Sequence, residues 1–304
     1  MKTTLKTFKL ECNRPFLGAV LVFAGVLIQP VFTAEAQTTS TGTVSPIQSA
    51  ASPLRLSVVA PVMLAGSDSA SASFQQTTLP AVTSLLNTRL SEYHSVNDSA
   101  LLLDPSQLIL KTASDVRVYF IGEGAGYNNT LGFNTTGAGV ATGDPALIFP
   151  NASSSVSTYD PASTAKRTAS APLLPGDFVN LGQMSAGSLL NFFLIANGAS
   201  GGRNVFSTDQ SVNPDGINHV VSFAYAKPGS SLLIIGFEDL YGGGDRDFND
   251  LMFAVDIGAA NIAALTGTPE PAFYLTLGTL LAGMVWLKHR RDNISSSNPA
   301  RITV

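Results

Sequence analysis

Between Gly236 and Asp250 the sequence runs GFEDLYGGGDRDFND, which gathers Glu238, Asp239, Asp245, Asp247, Asn249 and Asp250 around three consecutive glycines. Carboxylates crowded into so short a stretch repel one another, and they either spread into solvent or share a cation. Asp, Glu and Asn side chains with backbone carbonyls make the all-oxygen set that a hard cation such as Ca²⁺ prefers. Gly242, Gly243 and Gly244 let the backbone turn its own carbonyls inward. We read these six side chains as candidate Ca²⁺ ligands.

In an extended stretch Asp245, Asp247 and Asn249 point one way, and Arg246, Phe248 and Asp250 the other. The first set, with Glu238 or Asp239, is then expected to hold the ion. Phe248 is expected to anchor the loop in the core, and Arg246 to pair with Asp250 or another acid. The D-x-D-x-N order resembles the opening of an EF-hand loop, with Asp256 at the twelfth place. That likeness fails on geometry. The sixth place is Asp250 instead of Gly, and residues 251–255 read as a strand, which puts Asp256 about 20 Å from Asp250 at about 3.3 Å per residue. The competing reading has the acids capping turns through Asx hydrogen bonds, with no metal.

Other constellations carry weaker chemistry. Asn213, Asp215 and Asn218 beside His219 either add ligands to the same site or shape a turn, and the turn is the better reading. Gly122-Glu123-Gly124-Ala125-Gly126 lacks the helix and the Lys-Ser/Thr that a phosphate loop needs. Gly198-Ala199-Ser200-Gly201-Gly202 fits G-x-S-x-G, with Asp215 and His219 in hydrolase order. A nucleophile elbow is followed by a helix, however, and 203–214 is rich in Asn, Ser and Asp. Nor do two acids face each other across a cleft as a glycosidase requires. Tyr127 and Tyr225 are either sugar-stacking platforms or ordinary core and rim residues. The expectation is a non-catalytic structural or adhesive protein, with a carbohydrate-binding module and, behind it, an envelope-carbohydrate hydrolase as the alternatives.

The acidic stretch lies between two apolar runs, Leu232 to Ile235 and Leu251 to Val255, so it is expected to join two core strands. Val116, Val118 and Phe120 alternate with Arg117 and Tyr119, and Val221, Phe223 and Tyr225 with Ser222 and Ala224, as strands do. Segments 108–110, 146–149, 178–181, 189–195, 232–237 and 251–257 complete the series, with a turn at Lys227-Pro228-Gly229-Ser230. This pattern predicts an all-β antiparallel sandwich of jelly-roll type over residues 105–258. Residues 37–104, rich in Ser, Thr, Ala and Gln, read as a spacer holding one short helix near 80–93. Residues 151–175 read as a surface loop and 259–271 as a linker.

GFEDLYGGGDRDFNDLMF resembles the signature of the domain of unknown function 4114, found in secreted and surface-associated bacterial proteins. Tyr119 to Phe133, Ser188 to Gly198 and Asn213 to Tyr225 fit the longer form of that family, so the resemblance spans roughly 105–258. It implies a β-rich extracellular module that holds calcium, and it implies no activity.

Both ends carry targeting patterns. Lys2, Lys6, Lys9 and Arg14 precede the apolar run from Phe16 to Ile28 and an A-x-A site at Ala34-Glu35-Ala36, the order of a secretory signal covering residues 1–36. Pro269-Glu270-Pro271 precedes an apolar run at 272–287 that reads as a transmembrane helix, followed by Lys288, Arg290 and Arg291 in a basic tail, 288–304, that would stay in the cytoplasm. This resembles the PEP-CTERM sorting signal, which implies recognition and cleavage by an exosortase-type membrane protease. The tail after the basic cluster is longer than that family usually shows.

Of the 17 Lys and Arg, nine lie within 37–271; of the 21 Asp and Glu, 18 do, so the exported body carries about −9 against −4 for the whole chain. That balance excludes nucleic acid and anionic lipid as broad partners and suits divalent cations, with extracellular polysaccharide as a further candidate partner. The single cysteine, Cys12, precedes the signal's apolar run, so the mature body has no disulfide and needs a large core or a bound ion for stability.

Overall fold

In a computed structural model the described residues are 47–90, 102–136, 144–156, 165–225, 227 and 229–267, with 284, 286 and 287. Among the described residues ten strands form two antiparallel sheets: β1 (Leu102–Leu103), β2 (Ser114–Gly122), β3 (Thr130–Thr136), β4 (Ala146–Phe149), β5 (Phe178–Met184), β6 (Leu189–Ile195), β7 (Val205–Ser207), β8 (Val220–Ala224), β9 (Leu232–Phe237) and β10 (Leu251–Asp256). The larger sheet has the order β1-β8-β9-β10-β2-β5 and the smaller β4-β3-β6-β7.

Strand alternation explains why two sheets share one core. Val116, Val118 and Phe120 of β2, Leu233, Ile235 and Phe237 of β9, and Leu251, Phe253 and Val255 of β10 meet Leu131 and Phe133 of β3 and Leu190, Phe192 and Leu194 of β6 in a single apolar cluster. Phe192 sits edge-on to Phe253 at 5.2 Å between centroids. The arrangement is sandwich-like.

The opposite face of the larger sheet is also apolar, with Tyr119, Ile121, Phe178, Val221, Phe223, Ile234 and Met252 all buried. Residues expected as a spacer cover it. α1 (Ser69–Ser73) continues through one π-helical turn, Phe74–Thr78, into α2 (Leu79–Arg89), and Phe74, Leu79, Val82, Leu86 and Leu90 pack on that face. Asp68 caps α1, accepting from Ser71 N–H at 2.7 Å, and the Arg117 guanidinium of β2 reaches the same carboxylate at 2.9 and 3.1 Å. Met63 bridges to Phe178, and Val58 to Leu147. The folded unit therefore begins by residue 47 instead of 105, because β9 and β10 are buried on both faces and something must cover the outer one.

The segment expected as a linker also differs. Ala259–Thr266 forms α3, and the buried Asn261 accepts from the N–H groups of Lys111 and Thr112 at 2.7 and 2.9 Å. Within the expected 151–175 loop, Asn151, Ala152, Ser153 and Leu173 are buried. No helix among the described residues is long and apolar enough to cross a membrane. The predicted signal at 1–36, the sorting motif Pro269, Glu270 and Pro271, and the basic Lys288, Arg290 and Arg291 lie outside the described residues, as does the 272–287 span apart from Met284, Trp286 and Leu287.

Candidate functional site

β9 and β10 are hydrogen-bonded neighbours whose last pair is Phe237 with Leu251. The acidic stretch is the connection between them, so Glu238 and Asp250 leave the sheet side by side. The loop then folds back over its own strand. Gly236 allows this, since a Cβ there would stand 2.2 Å from the Phe248 carbonyl oxygen. The loop is not extended, for Gly242, Gly243, Gly244, Arg246 and Phe248 all have left-handed φ, with 61° at Arg246 and 56° at Phe248.

These turns sort the acids into two groups. In the first, one oxygen each from Glu238, Asp245 and Asp247 lie within 4.8 Å of one another. Glu238 and Asp247 are buried and Asp245 is exposed, so the cluster opens to solvent on one side. Glu238 Oε1 accepts from Phe248 N–H at 2.8 Å, Asp247 Oδ1 from Asn249 N–H at 3.1 Å, and Asp245 Oδ1 from Asp247 N–H at 3.4 Å. The Asn249 amide nitrogen is engaged by Asp247 and by the Leu90 carbonyl, the latter at 3.3 Å.

Asp239 and Asp250 form the second group. Asp250 Oδ2 accepts from Asp239 N–H at 2.8 Å, and Asp239 Oδ2 accepts from the buried Asn129 amide at 2.7 Å. Glu123, close enough to feel the charge of Asp239, accepts from Ser154 N–H at 3.2 Å. Asn129 and Glu123 belong to the β2–β3 connection, and sequence reasoning did not place either beside the acidic loop. The only sequence signal was the glycine-rich run around Glu123, read there as a failed phosphate loop.

The electrostatics follow from burial. It pushes the Glu238 carboxyl up to about 7, reinforced by the charges of Asp245, Asp247 and Asp239. It lifts Glu123 to about 7 as well, against the opposing hydrogen bonds from the Ser154 and Ala125 N–H groups. Burial also raises the carboxyls of Asp239 and Asp250: Asp239 with help from the charge of Asp245 and against the hydrogen bond from Asn129, and Asp250, up to about 8, with help from the charges of Asp239, Glu238 and Asp247.

Phe248 packs part-buried against the outer cluster of the larger sheet, the anchoring role expected of it. Arg246 is exposed and forms no ion pair among the described residues; the Asp250 oxygen it was expected to meet takes the Asp239 N–H instead. Asn213 organises a turn, accepting from Ser207 N–H at 2.7 Å and donating to the Ile217 carbonyl at 2.8 Å. Asp215 Oδ2 bridges His219 Nε2 at 2.9 Å and Gly242 N–H at 2.8 Å, which ties that turn to the acidic loop. Burial opposes ionisation of Asp215, yet these hydrogen bonds prevail and hold its carboxyl below the ordinary range. His219 is fully buried, stacked on Phe206 at 3.8 Å, with its other nitrogen 3.2 Å from the Glu238 carbonyl. Both ring nitrogens are thus engaged, while Ser200 Oγ accepts from Asn128 at 2.9 Å, so the residues of the G-x-S-x-G motif do not assemble a triad.

Residues 184–258 match the family described as a domain of unknown function, DUF4114. The match takes in β6 to β10 and the whole acidic loop, and it is shorter than the expected 105–258. No curated protein and no solved structure matches the chain.

Proposed function

We propose that the chain is an exported, non-catalytic module of the cell envelope or extracellular matrix whose acidic loop is closed by Ca²⁺. The convergence of Glu238, Asp245 and Asp247 within 4.8 Å is the observation that carries this reading. Two oxygens on one Ca²⁺ lie at most about 5 Å apart, and the remaining positions of a six- to eight-coordinate ion are filled by carbonyls and water. The donor set is all oxygen, and one member, Asp245, stays exposed where an ion would enter. Bound there, Ca²⁺ offsets the repulsion that otherwise forces protons onto Glu238 and its neighbours, and it fixes the end of the β9–β10 hairpin. In this reading the two sheets form a jelly-roll-type sandwich that reaches full stability only in a calcium-containing medium outside the cell. The PEP-CTERM-like end, Pro269-Glu270-Pro271 with its basic tail, supports delivery by an exosortase-type protease through a transient membrane anchor.

Thermal unfolding of the metal-stripped full chain in detergent, with and without millimolar Ca²⁺, tests the proposal. Saturation at about 100 times Kd stabilises by about 2.7 kcal/mol. A rise in Tm that the Asp245→Ala/Asp247→Ala double variant lacks supports the site; an unchanged wild-type Tm overturns it.

A further inference from the structure

Away from the acidic loop, the backbone carries two consecutive left-handed residues, Leu54 at φ 52° and Arg55 at φ 61°. Non-glycine residues in that region cost on the order of 1–2 kcal/mol each and persist where the surroundings impose them. They form one wall of a cavity of about 580 Å³ whose other wall is the Gly198–Arg203 turn. That turn is itself tightly made, for a Cβ at Gly202 would stand 1.9 Å from the Ala196 carbonyl oxygen. A second cavity, about 820 Å³, shares Ala51 and Ala199 with the first and is lined by Gln48, Asn128, Asn151, Arg167, Ser170 and Ser200 among others.

The charge pattern of this surface is opposite to that of the molecule. Neither cavity has an Asp or Glu in its lining, although the exported body is about −9. Arg55 and Arg203, two of the nine cationic residues of that body, line the first cavity together. Both are exposed, and neither pairs with an acid among the described residues. Arg167 borders the second cavity while bonded through both guanidinium nitrogens to Asp177, so it contributes shape and field and not a free donor. Two free guanidinium groups near the exposed hydroxyls of Thr168, Ser170 and Ser200 fit a ligand that presents spaced carboxylates amid many hydroxyls. A polyanion with a charge on every unit meets the repulsion of a body whose net charge is about −9.

We infer that this groove binds acidic polysaccharide, with Arg55 and Arg203 clamping a uronate carboxylate and the exposed Thr168, Ser170 and Ser200 hydroxyls of the second cavity meeting sugar hydroxyls. It deepens the extracellular reading above and rests on it for the source of the ligand. Tyr127, next to Asn128 in the chain, is 41% exposed, whereas Phe149 and Phe206, also near lining residues in sequence, are buried. Binding by a single groove is therefore expected to be weak, in the millimolar to high micromolar range, with avidity supplied by many anchored copies.

The test is titration of the full chain in detergent with a hyaluronan octasaccharide, which carries one carboxylate per disaccharide, beside a neutral maltooctaose and a short DNA duplex. Wild type is expected to bind the acidic sugar in a salt-sensitive manner. Arg55→Gln/Arg203→Gln is expected to weaken it about tenfold or more, and Lys227→Gln, a charge change elsewhere, to leave it intact. Equal binding of maltooctaose or DNA, an unchanged affinity in the double variant, or no binding at millimolar sugar each overturns the inference. The double variant keeps any Ca²⁺-dependent rise in Tm, so failure of the groove and failure of the acidic-loop site give different results.

Discussion

The backbone N–H of Phe248 donates to Glu238 Oε1 at 2.8 Å, so the residue that anchors the acidic loop in the apolar cluster also holds the buried carboxylate at its centre. Glutamine can accept the same hydrogen bond without the charge. Glu238→Gln is therefore expected to raise the stability of the metal-free protein at pH 8 by about 1–3 kcal/mol and to abolish any stabilisation by Ca²⁺. Urea unfolding in chelator and in millimolar Ca²⁺ measures both effects. A variant less stable than wild type in chelator would show that the Glu238 charge is not a burden to the fold.

The same carboxyls set a pH dependence. Glu238 and Glu123 are raised from 4.5 to about 7 in the folded chain, so between those values the folded state holds more protons than the unfolded one. Stability then falls as pH rises from about 4.5, and the loss is complete once pH exceeds the folded value. A rise from 4.5 to about 7 in one group corresponds to about 3 kcal/mol lost at high pH. Metal-free protein is expected to be most stable near pH 5 and to weaken through pH 8, and saturating Ca²⁺ to flatten that slope. Urea midpoints at pH 5, 6.5 and 8 decide it; a midpoint that climbs with pH in chelator would contradict the assignment.

α2 covers the outer face of the sheet that carries the site, with Leu86 and Val82 fully buried there. Leu86→Ala is expected to cost about 2–5 kcal/mol, read as a lower urea midpoint, even though residue 86 lies more than 100 positions from the acidic loop. If 79–89 were a detached spacer, the midpoint would not move.

What the sequence reveals and what it hides have physical causes. β9 and β10 are legible because LLIIGF and LMFAVD are nearly unbroken apolar runs, and the acidic residues between them mark a loop. The helix near 80–93 is legible and stands as α2, but its role as a cover is hidden, because Phe74, Leu79, Val82, Leu86 and Leu90 are single apolar residues scattered through Ser, Thr and Gln, and only the larger sheet's second buried face creates a need for them. β3 escapes notice for a similar reason: TLGFNTT has two large apolar residues, and its Gly132 is needed because a Cβ would stand 2.3 Å from the Phe193 ring. The division of the acids into Glu238–Asp245–Asp247 and Asp239–Asp250 depends on Asn129, a partner 110 residues away from Asp239, and on left-handed turns at Arg246 and Phe248 that no alternation rule foresees.

Those turns offer a final prediction. Arg246 is exposed, has φ 61° and forms no ion pair among the described residues, so the strain of its backbone is offset by no charge pair of its side chain there. Glycine removes a left-handed penalty of about 1–2 kcal/mol while adding about 0.5–1 kcal/mol of chain entropy to the unfolded state. Arg246→Gly is expected to stabilise the protein by about 0.5–1 kcal/mol, whereas Arg246→Val, β-branched and ill suited to positive φ, is expected to destabilise it by more than that. Asp245 and Asp247 flank this position, so the glycine variant also loosens the spacing of two candidate ligands and is expected to weaken Ca²⁺ affinity even as it stabilises the metal-free chain. Urea unfolding in chelator and a Ca²⁺ titration followed by Tm separate the two effects. A glycine variant less stable than wild type in chelator would place a stabilising contact of the Arg246 side chain above the strain of its backbone.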